Sequence, residues 1–516
     1  MKFVLPSDLR DAERRVLASP AISPGTGLRW MREASAGVAA EILALDPLPS
    51  RGVLVFAGTG NNGGDGFGVA LALHARRIPV AVWLAGSLSA LSPDAATLAA
   101  EAAGAGIPVF ARPDPSDWLS APADFRTGGW RVTVDALLGT GVRGEPRPTL
   151  AAALSFLRDL PPHVFRVALD VPSGWDAASP VPPPWTPSAD LTVTVGFPKS
   201  GFLSAASRDT VGSLRVVPFS LPRDASLALP SASPGFRLVA SSDLSSLFPR
   251  PPRATHKGRR GRLLVFAGSP SMPGAAVLAT RGALRGGAGV VHVSASDAAR
   301  TALAASTPQA ILAPPLFSPL SEMELPSFQA ILAGPGLGRT RQAADLVSAL
   351  LETATAPLVL DADALFPLVP ADIAARRAPT LLTPHPAELA RLLSCTPADV
   401  QADRPSAVRA AAAATRATVV LKGDATLVAG PDAAQPLWIN LAGTPGMARD
   451  GSGDVLAGLL AALLAPGTLS LDMAAAAAVY LHALAGELAA ARLTSHAMNA
   501  LDLPDFLPAA FSRILA

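Results

Sequence analysis

Residues 443–458 read Gly443-Thr444-Pro445-Gly446-Met447-Ala448-Arg449-Asp450-Gly451-Ser452-Gly453-Asp454-Val455-Leu456-Ala457-Gly458, a glycine-rich turn followed by an apolar segment. This pattern predicts a helix that begins near Asp454 and continues through Leu463. Gly451 and Gly453 leave the backbone N–H groups accessible because they have no Cβ, and the helix N-terminus behind them adds unpaired donors. We therefore expect an anion-binding loop of the kind that holds a phosphate group.

Asp454 is the unusual residue of this loop, because a carboxylate repels a resting phosphate. One interpretation is a helix cap, a position where Asp is common. The other is a general base, which would take a proton from a substrate hydroxyl while the adjacent amides stabilise the phosphoryl group. The local pattern leaves both interpretations open.

The composition indicates a globular protein of more than one domain. A chain of 516 residues exceeds one ordinary core and predicts two or more domains. Its 50% hydrophobic and 16% charged residues are far from the composition of a disordered chain. The formal net charge of +2 is close to neutral, so there is no electrostatic reason to expect nucleic acid or an anionic membrane as a partner.

The single cysteine, Cys395, excludes a disulfide framework and fits a reducing cytoplasm. Its place beside an expected helix end predicts a small buried hydrophobe rather than a nucleophile. The N-terminus lacks the apolar core of a signal peptide. The longest apolar runs, 455–466 and 473–481, are shorter than the ~20 residues that span a bilayer. We expect a soluble, cytoplasmic protein.

Two series of strands alternate with helices along the chain, which predicts parallel sheets covered by helices on both faces. A Ser-, Pro- and Ala-rich stretch separates the two series, so we expect domains at 1–225 and 254–516 and a boundary segment at 226–253. The expected strands of the first domain are 52–58, 79–84, 131–135, 165–169 and 191–195. Those of the second domain are 263–267, 290–293, 330–333, 358–360, 380–382 and 419–421.

The first strand of the first domain ends in Gly58-Thr59-Gly60-Asn61-Asn62-Gly63, which satisfies the G-x-G-x-x-G pattern of dinucleotide-binding folds. Folds of this kind that bind NAD also have an acidic residue at the end of the second strand, where it holds the ribose. The second strand here, with the residues up to 86, has none. A simple NAD-dependent dehydrogenase is therefore disfavoured.

Polar residues follow three of the expected strands, in segments 61–66, 135–141 and 170–174. Loops at the carboxyl ends of parallel strands converge on a ligand in an open sheet. The amide of Asn62, the carboxylate of Asp135 and the hydroxyl of Ser173 would together suit a hard cation. Asp170, at a strand end, is a candidate general base. Each segment alone is also explained by the turn preferences of Asn, Asp, Ser and Gly.

Taken with Gly196-Phe197-Pro198-Lys199-Ser200-Gly201, these segments resemble the epimerase domain of NAD(P)H-hydrate repair enzymes, over roughly residues 8–220. The resemblance implies that Asn62, Asp135 and Ser173 bind potassium and that Asp170 contacts the substrate as its acid/base residue. It implies that the hydrated nucleotide is lined by two loops: Asn61, Asn62, Gly63, Gly64 and Asp65, and Gly139, Thr140, Gly141, Val142, Arg143, Gly144 and Glu145. The Met-Glu-x-Ala-Gly segment usual in the family is Met31-Arg32-Glu33-Ala34-Ser35 here, which weakens any contact inferred from that helix.

Four segments of the second domain join strands to helices or turns: 271–276, 334–338, 383–388 and 422–426. Small residues in the first permit close approach of a ligand, and the second, which follows a strand, is a candidate rim for a phosphate or a substrate. His385 lies between two prolines after a strand, and Lys422 begins a turn between two β-rich runs, where it would meet a phosphate. Taken singly, these would be ordinary turns, a structural histidine, and a hairpin with a surface lysine.

Taken together, the four segments and the opening stretch resemble the ADP-dependent NAD(P)H-hydrate dehydratase, a member of the ribokinase-like superfamily, over about residues 240–510. The resemblance is strengthened by His256-Lys257-Gly258, Ala288-Gly289-Val290 and Leu360-Asp361-Ala362-Asp363-Ala364-Leu365. It implies that the hydrate contacts Ala275, Gly336, His385 and Asp454. It implies that the adenine nucleotide is bound by Lys422, Gly423, Asp424, Ala425, Thr426 and Gly453. Asp450 stands where the family usually has a glycine.

The two resemblances imply two three-layer α/β/α domains, the first Rossmann-like and the second ribokinase-like, in a bifunctional metabolite-repair enzyme. The first domain would interconvert the R and S epimers of hydrated NADH or NADPH, and the second would dehydrate the S form with ADP, releasing AMP and phosphate. The implied small molecules are these substrates with K⁺ and Mg²⁺, and a homo-oligomer is expected. The main alternative is a ribokinase-like vitamin or sugar kinase with an accessory first domain. A protein-binding scaffold and a dehydrogenase fit less well.

Overall fold

The computed structural model describes residues 1–45, 52–142, 144–250, 252–254 and 256–515, without the side chains of 122–124 and 126–128. The described residues form two compact units, unit 1 (Met1–Pro234) and unit 2 (Gly235–Ala516). The division between the units falls within residues 226–253, where the change in composition predicts a boundary.

Unit 1 alternates strands and helices along the chain. Its strands are β1 (Val53–Ala57), β2 (Val80–Leu84), β3 (Val109–Ala111), β4 (Val132–Ala136), β5 (Phe165–Leu169), β6 (Leu191–Val195) and β7 (Ser213–Val217). Its helices are α1 (Pro6–Leu17), α2 (Thr26–Leu43), α3 (Asn61–Ala75), α4 (Pro93–Gly104), α5 (Asp117–Gly128), α6 (Pro148–Arg158), α7 (Arg208–Val211) and α8 (Arg223–Ala228).

The strands described in unit 1 form one parallel sheet in the order β3-β2-β1-β4-β5-β6-β7. Strands β1, β2 and β4 are buried along their whole length, which explains why each is almost continuously apolar. The strand order reverses between β1 and β4, so the loops that follow these strands diverge and leave a crevice at their carboxyl ends. This Rossmann-like order confirms the α/β fold predicted for the first domain.

Glycines bring the loops of this crevice closer together than any other residue would. A Cβ on Gly58 would lie 1.9 Å from the carbonyl oxygen of Leu137, and a Cβ on Gly63 would lie 1.8 Å from the carbonyl oxygen of Gly58. The loop after β1 therefore packs directly against the loop after β4. In this unit the G-x-G-x-x-G pattern marks close backbone packing around the crevice.

Unit 2 has the same alternation. Its strands are β8 (Phe236–Leu238), β9 (Arg262–Phe266), β10 (Val290–Ser294), β11 (Ile311–Leu312), β12 (Ala330–Ala333), β13 (Leu358–Leu360), β14 (Thr380–Leu382), β15 (Thr418–Leu421), β16 (Thr426–Ala429) and β17 (Leu437–Asn440). Its helices are α9 (Ser241–Leu244), α10 (Pro273–Arg285), α11 (Asp297–Ser306), α12 (Arg341–Thr353), α13 (Pro370–Ala375), α14 (Pro386–Leu392), α15 (Pro397–Ala402), α16 (Arg404–Thr415), α17 (Ser452–Leu464), α18 (Leu471–Leu493) and α19 (Leu503–Leu515).

The strands described in unit 2 form one sheet in the order β11-β10-β9-β12-β13-β14-β15-β16-β17-β8. The neighbours from β11 to β15 are parallel, and β16 is antiparallel to both β15 and β17. Strand β8 pairs with β17 in parallel, so part of the segment expected to be a boundary belongs to this sheet. The mainly parallel sheet confirms the second α/β domain.

The apolar pattern does not predict strands β3, β7, β8, β11 and β17. The first four of these lie at sheet edges, where one side of the strand has no partner strand in the described sheets. All four contain half-buried or exposed residues, and β3, β8 and β11 are only three, three and two residues long. Short or half-buried strands of this kind lack the long buried apolar run by which central parallel strands are found.

Two apolar helices occupy the core of unit 2. Helix α17 begins at Ser452, and most of its residues are buried. Helix α18 spans 23 residues and is the one described helix with the length and hydropathy of a membrane span, but 83% of its apolar window is buried inside the protein. That burial is typical of a core helix, although the helix is longer than the apolar run 473–481 suggests.

Helix α17 packs against α10 through glycines. A Cβ on Gly458 would lie 1.9 Å from the carbonyl oxygen of Ala279, and a Cβ on Gly282 would lie 2.3 Å from the carbonyl oxygen of Val455. Because backbone atoms cannot move aside as a flexible side chain does, both positions require glycine. This close packing fixes the N-terminus of α17 relative to the sheet.

We predict that Gly458→Ala destabilises unit 2 by about 1–3 kcal/mol, the usual cost of an overpacked core, although Ala favours a helix. The matched control is Gly274→Ala in the first turn of α10, where an added Cβ meets nothing within 4 Å. Chemical denaturation of both variants and of the unsubstituted chain gives the comparison. Equal midpoints for the two variants would contradict the packing argument.

Candidate active sites

The carboxyl group of Asp135, at the end of β4, is bonded to the loop after β5. It accepts hydrogen bonds from the Ser173 backbone N–H at 2.9 Å and from Ser173 Oγ at 2.6 Å. Ser173 Oγ in turn accepts a hydrogen bond from the Leu138 N–H at 2.8 Å. Burial raises the pKa of Asp135 to about 6, and the hydrogen bonds from Ser173 and Leu137 limit the rise.

Asn62 reaches the same place from the first turn of α3. Its Cβ lies 3.3 Å from the position that a Cβ on Gly139 would take. Its side-chain Nδ2 is buried and has no hydrogen-bond partner among the described residues. Asn62, Asp135 and Ser173 thus surround the crevice between β1 and β4 with amide, carboxyl and hydroxyl groups. Oxygen donors of this kind fit a hard cation such as K⁺.

Asp170 follows β5 and has a backbone φ of 68°, a conformation that only a few per cent of non-glycine residues adopt. Its Oδ1 accepts hydrogen bonds from Thr194 Oγ1 at 3.1 Å, from the Val195 N–H at 3.0 Å and from Lys199 Nζ. The Lys199 side chain is 1% exposed and the Asp170 side chain 17% exposed. The sequence places Lys199 in a motif, but it does not predict this buried ion pair.

Two further carboxyl groups interact with Asp170. Burial raises the pKa of Glu13, in α1, to about 7, and the charge of Asp170 adds to the rise, while Lys199 and Arg10 oppose it. Burial likewise raises the pKa of Asp65, in α3, well above its usual value, with contributions from Asp170 and Glu13. No local motif indicates Glu13, because α1 reaches the site only in the folded unit.

The two loops predicted to line the hydrated nucleotide differ in exposure. In the first, Asn61 is exposed and its Oδ1 accepts a hydrogen bond from Ser92 Oγ at 2.8 Å, whereas Gly64 is buried against Met31. In the second, Arg10 of α1 donates a hydrogen bond to the carbonyl oxygen of Thr140. Arg143 of this loop lies outside the described residues. The other residues of the loop are half-buried or exposed, namely Gly139, Gly141, Val142, Gly144 and Glu145.

The altered segment of α2 packs against α3 beside this site. Ser35, where the family usually has glycine, donates a hydrogen bond from Oγ to the carbonyl oxygen of Asp65 at 2.9 Å. A Cβ on Gly68 would lie 2.2 Å from that Oγ, so the two helices touch there. The departure from the family pattern is therefore accommodated by a hydrogen bond to the backbone.

In unit 2, Lys422 follows β15 and is held by two acidic groups, Asp361 after β13 and Glu388 in the first turn of α14. Its Nζ donates to Asp361 Oδ1 at 2.7 Å and lies 3.9 Å from Glu388 Oε2. Asp361 follows β13, is 1% exposed and also accepts a hydrogen bond from Thr383 Oγ1 at 2.7 Å. Burial alone would lower the pKa of Lys422, but Asp361 and Glu388 raise it above its usual value.

Asp454 lies in the first turn of α17, two residues after the first helical residue, Ser452. The cap position belongs to Gly451, with φ of 87° and no side-chain cap bond, so the capping interpretation of Asp454 is wrong. A Cβ on Gly453 would lie 3.4 Å from Lys422 Nζ, which brings the loop and the lysine together. Burial raises the pKa of Asp454 to about 7, and the charge of Asp361 contributes to the rise, whereas Lys422 lowers it.

His482 of α18 lies beneath the start of α17. Its Nε2 is 3.5 Å from Ser452 Oγ, and burial lowers its pKa to about 4. The ring is therefore neutral near pH 7 and adds no charge under the anion-binding loop. No motif in the sequence indicates that His482 lies near the site, because it stands in the middle of a long apolar helix. In this it is like Glu13 in unit 1.

His385 caps α14. Its Nδ1 accepts hydrogen bonds from the Ala387 and Glu388 N–H groups at 3.1 and 3.3 Å, and its Nε2 lies 3.3 Å from Glu388 Oε1. The ring is about half exposed, so one face remains open to a ligand. Cys395 is exposed, so the prediction that it is buried is wrong. Helix α14 ends at Leu392, so Cys395 lies beyond the helix and does not belong to its buried apolar face.

Gly336 and Ala275 are in direct contact, since a Cβ on Gly336 would lie 2.7 Å from Ala275 Cβ. A cleft of about 660 Å³ lies beside them, lined by Ser269, Pro270, Ser271, Met272, Gly338, Arg339, Thr340 and Asp363. The charge of Asp363 also raises the pKa of Asp454, so the cleft is within electrostatic reach of that carboxyl group.

The remaining predicted nucleotide residues form the turn between β15 and β16. Gly423 has φ of 139°, and its carbonyl oxygen accepts a hydrogen bond from Thr426 Oγ1 at 2.8 Å. Gly423 and Asp424 are exposed, and Ala425 adopts a φ of 53°. This is the hairpin geometry expected from the two β-rich runs, with Lys422 directed to Asp361 rather than to solvent.

Comparison with known proteins covers both units. Residues 28–201 match the family described as YjeF-related protein N-terminus, and residues 263–509 match NAD(P)H-hydrate dehydratase. A bifunctional NAD(P)H-hydrate repair enzyme of Moorella thermoacetica is 35% identical over 478 residues, which are 89% of this chain and 87% of that protein. The chain belongs to the bifunctional NAD(P)H-hydrate repair enzyme family.

A second full-length relative agrees with this assignment to the repair-enzyme family. The bifunctional NAD(P)H-hydrate repair enzyme of Escherichia coli K12 is 34% identical over 87% of this chain and 83% of that protein. A crystal structure of the ADP/ATP-dependent NAD(P)H-hydrate dehydratase from Bacillus subtilis is 30% identical, covers 54% of this chain and 98% of that chain, and has a TM-score of 0.48. The match to full-length relatives extends across both units.

For a repair enzyme of this family, we predict that Asp361→Asn lowers the pKa of Asp454 below about 7, because it removes a negative charge that raises it. If Asp454 must be deprotonated to act, the acidic limb of kcat/KM for nucleotide-dependent dehydration should move to lower pH. The control is Asp345→Asn, which removes an exposed carboxylate paired with Arg341 and should leave the profile unchanged. An unshifted limb in Asp361→Asn would refute the electrostatic coupling.

Proposed function

We propose that the protein repairs hydrated NADH and NADPH, with epimerisation in unit 1 and ADP-dependent dehydration in unit 2. The observation that supports this best is the carboxyl group of Asp454 in the first turn of α17 close to Lys422, in a chain that matches bifunctional repair enzymes along most of its length. An anion-binding loop with a base in it suits phosphorylation of a substrate hydroxyl.

In the proposed dehydration, Asp454 removes the proton of the C6 hydroxyl of the S-hydrate. The resulting oxygen attacks the terminal phosphorus of ADP, and AMP leaves with the bonding electrons. The C6–O bond of the new phosphate ester then breaks, phosphate leaves with the bonding electrons, and loss of a proton from C5 forms the C5–C6 double bond of NADH or NADPH. A pKa of about 7 suits a base that works near neutral pH, and such help contributes roughly 10²–10⁴-fold to a rate.

The remaining groups of unit 2 have binding roles in this proposal. Lys422 and the N–H groups at Gly453 would stabilise the charge of the transferring phosphoryl group. Ala275, Gly336 and His385 would contact the hydrate beside the cleft, and the turn from Gly423 to Thr426 would hold the adenine nucleotide. Asp361 would keep Lys422 directed towards the loop.

Mg²⁺ would enter this site with the nucleotide. The residues that the structure describes contain no cluster of three His, Cys, Asp or Glu side chains that could hold a metal ion. Mg²⁺ is commonly bound through substrate phosphates and one or two carboxylates, so this finding fits a nucleotide-borne ion. When bound, it would supply positive charge to the phosphates.

In unit 1, the C6 atom of the hydrate is bonded to both a hydroxyl oxygen and the ring nitrogen. Removal of the hydroxyl proton converts the C6–O bond to the double bond of an aldehyde and breaks the C6–N bond, whose electron pair stays on nitrogen. Attack of this nitrogen on the opposite face of the aldehyde, with return of the proton to oxygen, gives the other epimer. Asp170 would take and return this proton. Asn62, Asp135 and Ser173 would hold K⁺, which supplies a fixed positive charge beside the anionic nucleotide.

Both units would act on small molecules alone, in agreement with the near-neutral net charge of +2. The cytoplasmic location and the homo-oligomer expected from the sequence remain predictions. The kinase alternative would explain unit 2 but not unit 1, and the family match along the chain disfavours it.

The test uses purified protein, mixed epimers of NADPH-hydrate, ADP and Mg²⁺, with recovery of absorbance at 340 nm. We expect complete recovery by the unsubstituted chain and none by Asp454→Asn, because that variant has no base. Asp170→Asn should repair the S form at the normal rate and the R form slowly. If the unsubstituted chain leaves the hydrate unchanged but phosphorylates a vitamin or sugar alcohol, the kinase alternative replaces the proposal.

Replacing K⁺ by a large organic cation should slow epimerisation while leaving dehydration of the S form unchanged. Ser173→Ala should raise the K⁺ concentration needed for half-maximal epimerisation about tenfold, roughly the effect of losing one donor worth 1.4 kcal/mol. Thermal unfolding with and without K⁺ gives a readout independent of activity, and Ser200→Ala, outside the proposed donor set, is the control. Epimerisation at the same rate without K⁺ would exclude the site.

A further inference from the structure

The Nζ group of Lys199 has no donor left for a substrate. Its partners are Asp170 Oδ1, Thr194 Oγ1 at 2.7 Å and the Val195 carbonyl oxygen at 3.0 Å. An ammonium group has three N–H donors, so these three acceptors use them all. With a side chain only 1% exposed, Lys199 acts on its surroundings and not on a ligand directly.

Asp170, by contrast, uses only one of its carboxyl oxygens in these contacts. The three donors to Asp170, on Thr194, Val195 and Lys199, all meet Oδ1. No described residue donates a hydrogen bond to Oδ2, and the side chain is half-buried. The contacts at Oδ1 thus fix the orientation of the carboxyl group and leave Oδ2 to exchange a proton with a ligand.

The backbone around Lys199 is held by the N-terminal segment of the chain. The Val4 N–H donates to the carbonyl oxygen of Pro198, and the Ser200 N–H donates to the carbonyl oxygen of Val4, both at 3.0 Å. Val4 and Lys199 form a parallel β-bridge, and Val4 is fully buried. The backbone on both sides of Lys199 is therefore held in place by Val4, which lies far from it in sequence.

The groups that face Asp170 come from three elements. Asp65 lies on α3, Glu13 and Arg10 lie on α1, and Lys199 lies after β6. Three carboxyl groups therefore share a half-buried region with two described cations, Arg10 and Lys199, of which Lys199 is the more deeply buried. Without its charge, a proton would bind to these carboxyl groups more readily.

We propose that Lys199 is a positioning residue for epimerisation: it holds the carboxyl group of Asp170 in the orientation, and supplies the adjacent positive charge, with which Oδ2 exchanges a proton with the hydrate. The proposal rests on the function proposed for unit 1. It differs from a direct catalytic role, because among the described residues Lys199 Nζ already donates to Asp170 and to two groups of the neighbouring strand.

The test compares Lys199→Met, Lys199→Arg and Lys2→Met. The last is the matched control, because the hydrogen bonds of Lys2 Nζ go to backbone carbonyl oxygens. The substrate is the R epimer of NADPH-hydrate with ADP and Mg²⁺, and an excess of the Asp170→Asn chain dehydrates the S form as it appears. We expect Lys199→Met to slow epimerisation about 100-fold at neutral pH, within the range of a lost general base. Lys2→Met should be unaffected, and Lys199→Arg should keep more activity than Lys199→Met.

The pH profile separates a positioning role from a merely structural one. The acidic limb of epimerisation should move to higher pH in Lys199→Met, and the rate should recover as pH rises, because a carboxylate without its cation binds a proton more readily. In the double variant Lys199→Met with Asp170→Asn, epimerisation should be no slower than in Asp170→Asn alone. An unchanged rate in Lys199→Met, an equal loss at every pH, or a further loss in the double variant would overturn the proposal.

Two controls keep the outcome interpretable. Dehydration of the S form by each variant shows that unit 2 of the same chain is intact, and near-ultraviolet circular dichroism shows whether unit 1 is folded. If Lys199→Met does not fold, the double variant, which removes both charges of the pair, and Lys199→Arg provide the same comparison. Failure of the unsubstituted chain to epimerise would refute the proposed function itself, whereas normal epimerisation by Lys199→Met would refute only the role of Lys199.

Discussion

Each unit depends on a lysine that is paired with an aspartate at the carboxyl end of a parallel strand. In unit 1 Lys199 donates to Asp170, and in unit 2 Lys422 donates to Asp361 at 2.7 Å. A buried charge is costly unless its partner and further hydrogen bonds replace the lost water. Hydroxyl groups of neighbouring strand ends supply those bonds in both units. Each pair links residues that follow two different strands, so it fixes the positions of the loops after those strands relative to each other.

The two pairs have different electrostatic consequences. In unit 1 the donors to Asp170 that the described residues provide all meet Oδ1, and the charge of Asp170 contributes to the raised pKa of Glu13 and of Asp65. In unit 2 the paired carboxyl group is buried, and a second one, Asp454, lies nearer to the anion-binding loop with a pKa raised to about 7. The same type of contact therefore orients the candidate acid/base group in one unit, and in the other it places Asp361 where its charge raises the pKa of Asp454. Both arrangements suit proton transfer near neutral pH.

Close backbone contacts set the position of these groups. The loop after β1 touches the loop after β4 because Gly58 has no Cβ, and α17 touches α10 because Gly458 has none. These contacts fix the loops and the helix N-terminus from which the functional groups project. Asp170 keeps an unfavourable backbone conformation, with φ of 68°, which the surrounding hydrogen bonds enforce.

The sequence by itself determined the two α/β units and the segments that border each site. Buried parallel strands are continuous apolar runs, and the loops that follow them have local signatures, as in the segment that ends at Asp454. Only the tertiary structure decided that Glu13 and His482 join the sites, that Asp361 holds Lys422, and that Cys395 is exposed. The physical reason is that burial and neighbouring charge depend on groups far apart along the chain, and no local pattern contains them.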